Sequence, residues 1–262
     1  MKLSPPKPIC LLFTFTFFVQ SLFQANAELI VEKGEKIAFL GDSITQAGKR
    51  KNGYITFVIE ALNHENLNVT AVPAGISGHK STNMLARVDK DVVSKAPDWM
   101  LLSCGVNDVW HFTLKLGNRT FEGVPLKDYK KNIIEIIDKA EAADIKVMIL
   151  TSTMIGEDPE KETNQTLEPY NDFLRELAKE KGLLLADLNE DMRAALAKIP
   201  DEKGKAKMFG EPNYARNIKN KLTSDGCHMN TLGNAMMAKG ILKTFGLSDA
   251  KIAAAEKRWL GK

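Results

Sequence analysis

The 262-residue sequence predicts an α/β protein: a single-domain, three-layer α/β/α sandwich around a five-stranded parallel sheet. Two observations carry that prediction. Five short runs are apolar at consecutive positions, and longer amphipathic segments separate them. Strands that are apolar at every residue are buried on both faces, which a parallel sheet flanked by helices provides. No internal repeat or low-complexity linker divides the chain, so one domain is expected.

The elements follow in order. Ile37 to Leu40 reads as a buried strand stopped by Gly41. Gly53 to Glu65 reads as a helix, with Tyr54, Phe57, Val58, Ala61 and Leu62 on one stripe. Val69 to Pro73 is the second strand. Ser81 to Ser94 is a helix, with Met84, Leu85, Val88 and Val92 on one face. Trp99 to Leu102 is the third strand. Pro125 to Ala143 has the clearest helical spacing, through Ile133, Ile134, Ile137 and Ala140. Val147 to Leu150 and Leu183 to Leu185 are the fourth and fifth strands, with a helix from about Pro169 to Lys181 between them. Asn230 to Phe245 forms a closing helix. Two stretches break the rhythm, 110–124 and 200–222. Each reads either as a solvated loop or as a loop lining a ligand crevice at the strand ends.

The first 27 residues stand apart. Lys2 and Lys7 precede an apolar run from Ile9 to Val19, and Ala25-Asn26-Ala27 ends it with small residues. This is the layout of a signal peptide cleaved after Ala27, leaving a domain over 28–262. A membrane anchor is the alternative, but the run is short for a span. A secreted or periplasmic protein is expected. Removing two of the 36 basic residues and none of the 33 acidic ones leaves a net charge of +1. Such a balance gives no reason to expect nucleic acid or an anionic membrane as partner. With 44% apolar and 26% charged residues, the chain is neither a disordered tail nor a multispan membrane protein.

Four short blocks carry the chemistry. Gly41-Asp42-Ser43-Ile44-Thr45 follows the first strand directly. A Ser past a strand end, with Gly to permit the turn, can face a crevice, though a helix-capping Ser has the same look. The later glycines of a dinucleotide fingerprint are missing, and Thr45 breaks the G-x-S-x-G elbow. Gly75-Ile76-Ser77-Gly78 follows the second strand, where glycine lets backbone N–H groups approach a ligand. Gly105-Val106-Asn107-Asp108 follows the third, and its Asn carries two N–H donors suited to an oxyanion. Asp225-Gly226-Cys227-His228 precedes the last helix, where the Asp can hold the imidazole's tautomer. Each block alone is equally a turn, a cap or a surface ion pair.

Together and in this order the blocks resemble the SGNH hydrolases, the GDSL esterase/lipase family. The resemblance spans Gly41 to His228, and it implies the flavodoxin-like fold of that family. It implies Ser43 as nucleophile, His228 as general base and acid, and Asp225 as its orienting partner. It also implies an oxyanion hole made by the backbone N–H of Ser43, the backbone N–H of Gly78 and the Asn107 side chain. The strings Gly-Asp-Ser-Ile-Thr and Gly-Val-Asn-Asp-Val-Trp-His look like the secreted bacterial branch, with sugar esters as substrates. Pro73 departs from the family, many of whose members have Asn two residues before the first Gly of the second block.

Asp42, His79, Trp110 and His111 are further candidates for substrate contact, with local packing as the competing reading. His64, at a helix end, reads as solvated. Four scattered His without paired spacing predict no metal site, and the chemistry requires no cofactor. Lys203, Lys205, Lys207, Lys219 and Lys221 read as a solvated loop or as a surface for an acidic polysaccharide. Cys104 and Cys227 each adjoin a block, and spacing leaves their pairing open. The expected function is hydrolysis of short acyl esters, O-acetyl above all, on a small-molecule or polysaccharide substrate. A lysophospholipase or thioesterase, and a catalytically silent carbohydrate-binding protein, are the alternatives.

Overall fold

The computed structural model describes residues 29–261, so the export segment expected at 1–27 lies outside the described residues. Among the described residues seven strands form: β1 (Lys36–Gly41), β2 (Thr70–Gly75), β3 (Trp99–Ser103), β4 (Lys115–Leu116), β5 (Arg119–Thr120), β6 (Lys146–Leu150) and β7 (Leu184–Ala186). Five of them make the parallel sheet in the order β2-β1-β3-β6-β7, and β4 and β5 pair as a separate antiparallel hairpin. The β1 and β3 strands, at the middle of the sheet, are buried almost throughout, as their unbroken apolar sequence requires. Pro73 sits in β2, an edge strand, where its missing N–H costs the ladder least. This order reverses direction between β1 and β3, which opens a crevice at their carboxyl ends.

The helices are α1 (Ser43–Gly48), α2 (Tyr54–His64), α3 (Ser81–Leu85), α4 (Val88–Asp91), α5 (Val106–Trp110), α6 (Leu126–Glu141), α7 (Glu162–Lys181), α8 (Leu188–Lys198), α9 (Thr231–Thr244) and α10 (Asp249–Leu260). One outer layer gathers α2, α8 and α10 around α9, and the other gathers α3, α4 and α7 around α6. The apolar stripe read on α2 is buried through Tyr54, Phe57, Val58, Ala61 and Leu62. On α6, Ile133, Ile137 and Ala140 are buried, whereas Ile134 is exposed. Among the described residues, no helix is long and apolar enough to cross a membrane.

Two helices depart from the sequence reading. The helix expected over 81–94 breaks into α3, α4 and a 3₁₀ turn at Val93–Lys95. Arg87 is the cause: its backbone leaves the helix (φ −127°, ψ −1°) while its guanidinium donates to the carbonyls of Gly41 and Ala74. Those long-range bonds join the ends of β1 and β2, and they outweigh local helical spacing. The helix expected from Pro169 starts instead at Glu162, with the proline inside it. Its early turn is held from outside, because Asn164 bonds Ile155 N–H and the Gly156 carbonyl and Thr163 donates to the Ile155 carbonyl. The α8 and α10 helices and the β4–β5 hairpin have no counterpart in the sequence reading.

Candidate active site

Three of the blocks leave the carboxyl ends of β1, β2 and β3, where the crevice opens. Asp42 caps α1: its Oδ1 accepts the Ile44 N–H at 2.9 Å, making Ser43 the first residue of the helix. Gly78 has φ +74°, in the left-handed region that glycine occupies without strain. Gly105 has φ +136°, and a Cβ there would meet Ser152 Oγ. It caps α5 and so sets Asn107 one turn from the strand end. Asp108, also on α5, accepts both Ser81 N–H at 3.0 Å and Ser81 Oγ–H at 2.5 Å, which ties α3 to α5. Across that junction Asn107 Nδ2 donates to the His79 carbonyl at 3.1 Å. Its other contact, to Asp42 Oδ2, is long at 3.5 Å.

The fourth block closes on the first. Asp225 Oδ1 accepts the backbone N–H groups of Cys227 at 3.1 Å and His228 at 2.8 Å. Its Oδ2 lies 2.8 Å from His228 Nδ1, and His228 Nε2 lies 2.9 Å from Ser43 Oγ. The turn through Gly226, at φ +84°, is what lets an Asp reach the imidazole three residues ahead. The Asp225 bond, followed by its charge and that of Asp42, raises the His228 pKa above its usual value despite partial burial. Burial alone would raise Asp225, but the bonds and charge of His228 outweigh it and hold the carboxylate below its ordinary range. An imidazole held this way, with a carboxylate on one nitrogen and a hydroxyl on the other, can take a proton from that hydroxyl.

Ser43, Gly78, Asn107, Trp110, His111 and His228 line one cleft of about 570 Å³. Asp225 stands behind the His228 ring. Trp110 is 4% exposed and His111 7%, so both form the wall of the cleft rather than reaching into solvent. Burial, then the nearby Lys80, push the His111 pKa down to about 4. Asp42 and His79, expected as substrate contacts, do not line this cleft. Asp42 is 3% exposed and occupied in capping α1, and its burial pushes its pKa up to about 6. The His79 Nδ1 accepts a bond from Arg87 Nε at 3.0 Å.

The irregular stretches both contribute to the cleft. Leu116, Arg119 and Phe121 come from the first and Phe209 from the second. Phe209 carries little signal in the sequence: it is one of two aromatics, with Tyr214, within a Lys- and Gly-rich loop. Its ring meets Trp110 edge-on at 5.8 Å and His228 at 6.0 Å, and it remains 41% exposed. The lysine cluster lies elsewhere. Lys221 is bound to Asp201 and to the carbonyls of Leu196 and Ile199, and Lys219 is paired with Glu202. Cys104 and Cys227 are free, buried thiols whose pKa values burial drives upward. Among the described residues, no group of three His, Cys, Asp or Glu could hold a metal ion.

The sequence profile of the GDSL-like Lipase/Acylhydrolase family matches residues 39–236, a range that takes in all four blocks. The chain belongs to this family. This SGNH-type acylhydrolase is therefore a carboxylic ester hydrolase. It is 33% identical to a solved acetyl xylan esterase, AlAXEase, with a TM-score of 0.66 over 79% of this chain and 98% of that one. A curated acetylxylan esterase of Geobacillus stearothermophilus is 26% identical over 170 residues, covering 60% of this chain and 77% of that protein. The solved Axe2, an acetylxylan esterase from the same organism, shares the fold at 22% identity, with a TM-score of 0.69 over 84% of this chain and 97% of that one.

Proposed function

We propose that this acylhydrolase is an exported acetyl esterase acting on carbohydrate, with Ser43 as nucleophile. The reading rests on the continuous chain from Ser43 Oγ through His228 to Asp225, at 2.9 and 2.8 Å, opening onto the cleft. Ser43 Oγ attacks the ester carbonyl as its proton passes to His228 Nε2. Asp225 steadies the imidazolium. The developing oxyanion is held by the backbone N–H groups of Ser43 and Gly78 and by Asn107 Nδ2. Collapse expels the sugar hydroxyl with the proton from His228, leaving an acetyl group on Ser43. Water then enters, loses a proton to His228, and releases acetate by the reverse sequence.

Acetyl and carbohydrate are favoured by the likeness to the acetylxylan esterases and by the character of the cleft, whose lining includes both the aromatic Phe209 and Trp110 and the basic Lys80 and Arg119. Export is favoured by the N-terminal layout of Lys2 and Lys7, the apolar run and Ala25-Asn26-Ala27. The test is acetate release from acetylated xylooligosaccharides, with p-nitrophenyl acetate and longer acyl esters alongside, for wild type and Ser43→Ala. Wild type should release acetate, and the variant should lose roughly 10⁴-fold or more in turnover. Equal activity in the variant would reject Ser43 as nucleophile. Preference for acyl chains beyond about eight carbons would point to a lysophospholipase or thioesterase, because a long chain needs extended apolar surface. Glycan binding without hydrolysis of any ester would point to a binding protein.

A further inference from the structure

We propose that Glu157 is a positioning residue for the Asp225–His228 pair, a role that rests on the hydrolytic reading above. Glu157 lies in the loop after β6 and is 4% exposed. One of its oxygens accepts the N–H groups of Leu222 at 2.8 Å and Thr223 at 2.6 Å, together with Thr223 Oγ1–H at 2.7 Å. The other accepts Lys221 N–H at 2.6 Å. Among the described residues, no Lys or Arg side chain is ion-paired with it, so its charge is balanced by this run of three successive backbone donors. Bonds from N–H groups to a buried carboxylate are charge-assisted and among the stronger ones a loop can make.

The clamp acts on the segment that leads into the fourth block. Thr223 Oγ1, donating to Glu157, accepts the Gly226 N–H at 3.0 Å. Ser224 N–H bonds the His228 carbonyl at 2.8 Å, and Thr223 bridges to Met229. Next to Glu157, Gly156 N–H donates to the Gly226 carbonyl at 2.7 Å. The incoming strand and the apex of the Asp225–His228 turn are thus anchored to the β6 loop, the outgoing strand is tied to the incoming one through Thr223 and Ser224, and no regular secondary structure holds the turn. Proton transfer from Ser43 demands that the imidazole be held within a few tenths of an ångström, which rigid support provides. A purely structural carboxylate would stabilise the loop without altering the chemistry of the imidazole.

Two variants separate these roles. Glu157→Gln places an amide where the second carboxylate oxygen met Lys221 N–H, or turns the amide onto Leu222 and Thr223. Thr223→Val cuts the link to Gly226 without changing any charge. Turnover is measured per active site titrated with a serine-reactive phosphonate, along with KM and the pH dependence of kcat/KM. The charges that act most strongly on His228 are those of Asp225, Asp42 and Arg50. Because Glu157 is not among them, a changed profile reports the Asp225–His228 geometry. Both variants should lose about 10- to 100-fold in kcat per titrated site with KM little changed. The acid limb should move to lower pH, as a loosened Asp225 bond lowers the His228 pKa. Wild-type turnover per site and an unmoved limb in Glu157→Gln, with only a lower Tm, overturn the proposal. If that variant does not fold, the same result in Thr223→Val overturns it. Failure of the hydrolytic reading is separate, since there the wild type itself is inactive or Ser43→Ala is fully active.

Discussion

Replacing Asp225 by Asn exchanges one carboxylate oxygen for an NH₂ group, and the geometry dictates the consequence. In the wild type, Oδ1 takes two backbone N–H groups and Oδ2 faces His228 Nδ1. The amide must keep its oxygen toward the two backbone donors, because its nitrogen there would meet N–H against N–H. The NH₂ group therefore faces His228 Nδ1 and donates to it. That selects the tautomer with the proton on Nε2, aimed at Ser43 Oγ 2.9 Å away. Such an imidazole cannot accept the serine proton. The expected loss is about 10⁴ in kcat, or about 5 kcal/mol of transition-state stabilisation, with KM nearly unchanged.

The same substitution carries a pH signature. His228 is held above its usual pKa chiefly by Asp225, so the acid limb of kcat/KM lies above that of a free imidazole in wild type and moves down in the variant. Stability follows the same linkage. The raised His228 contributes below about pH 6.5 and its contribution is lost as pH rises through its folded value. The depressed Asp225 contributes above about pH 4 and its contribution is lost as pH falls through its folded value. Destabilisation of Asp225→Asn should therefore be greatest between roughly pH 4 and 6.5. Steady-state acetate release across pH and urea unfolding at several pH values measure both effects. A loss below about tenfold, with an unmoved acid limb, would refute the assignment of Asp225 and His228.

Further outcomes can be checked on the same protein. Asn107→Ala should cost about 10²–10³ in kcat with less effect on KM, measured on p-nitrophenyl acetate, as for loss of one oxyanion donor. Phe209→Ala removes about 1 kcal/mol of apolar contact and should raise KM for an acetylated xylooligosaccharide roughly fivefold, with p-nitrophenyl acetate little affected. An equal effect on both substrates would argue that Phe209 supports His228 rather than the sugar. Gly105→Ala combines φ +136° with a clash against Ser152 Oγ, and urea unfolding should show about 1–3 kcal/mol of destabilisation.

Apolar runs at Ile37–Leu40, Trp99–Leu102 and Val147–Leu150 were legible as central strands because burial on both faces leaves no polar position. The blocks at Ser43, Gly78, Asn107 and Asp225–His228 were legible because each stands beside a strand end or a helix start, and because their order resembles a known family. Other features needed the folded chain. Arg87 interrupts a well-patterned helix through bonds to Gly41 and Ala74, and Pro169 lies inside a helix whose early turn is held by the 155–156 loop. Glu157 reaches 64 to 66 residues along the chain to Lys221, Leu222 and Thr223. Phe209 lies beside His228 only because the 200–222 stretch folds over the cleft. Periodicity reports which face of a segment is buried, and spacing reports what nearby residues can reach. Neither reports a hydrogen bond or ring contact between segments brought together by sheet order. The sequence by itself therefore determined the strands and the chemical groups, while tertiary structure decided which groups meet at Ser43 and what holds them there.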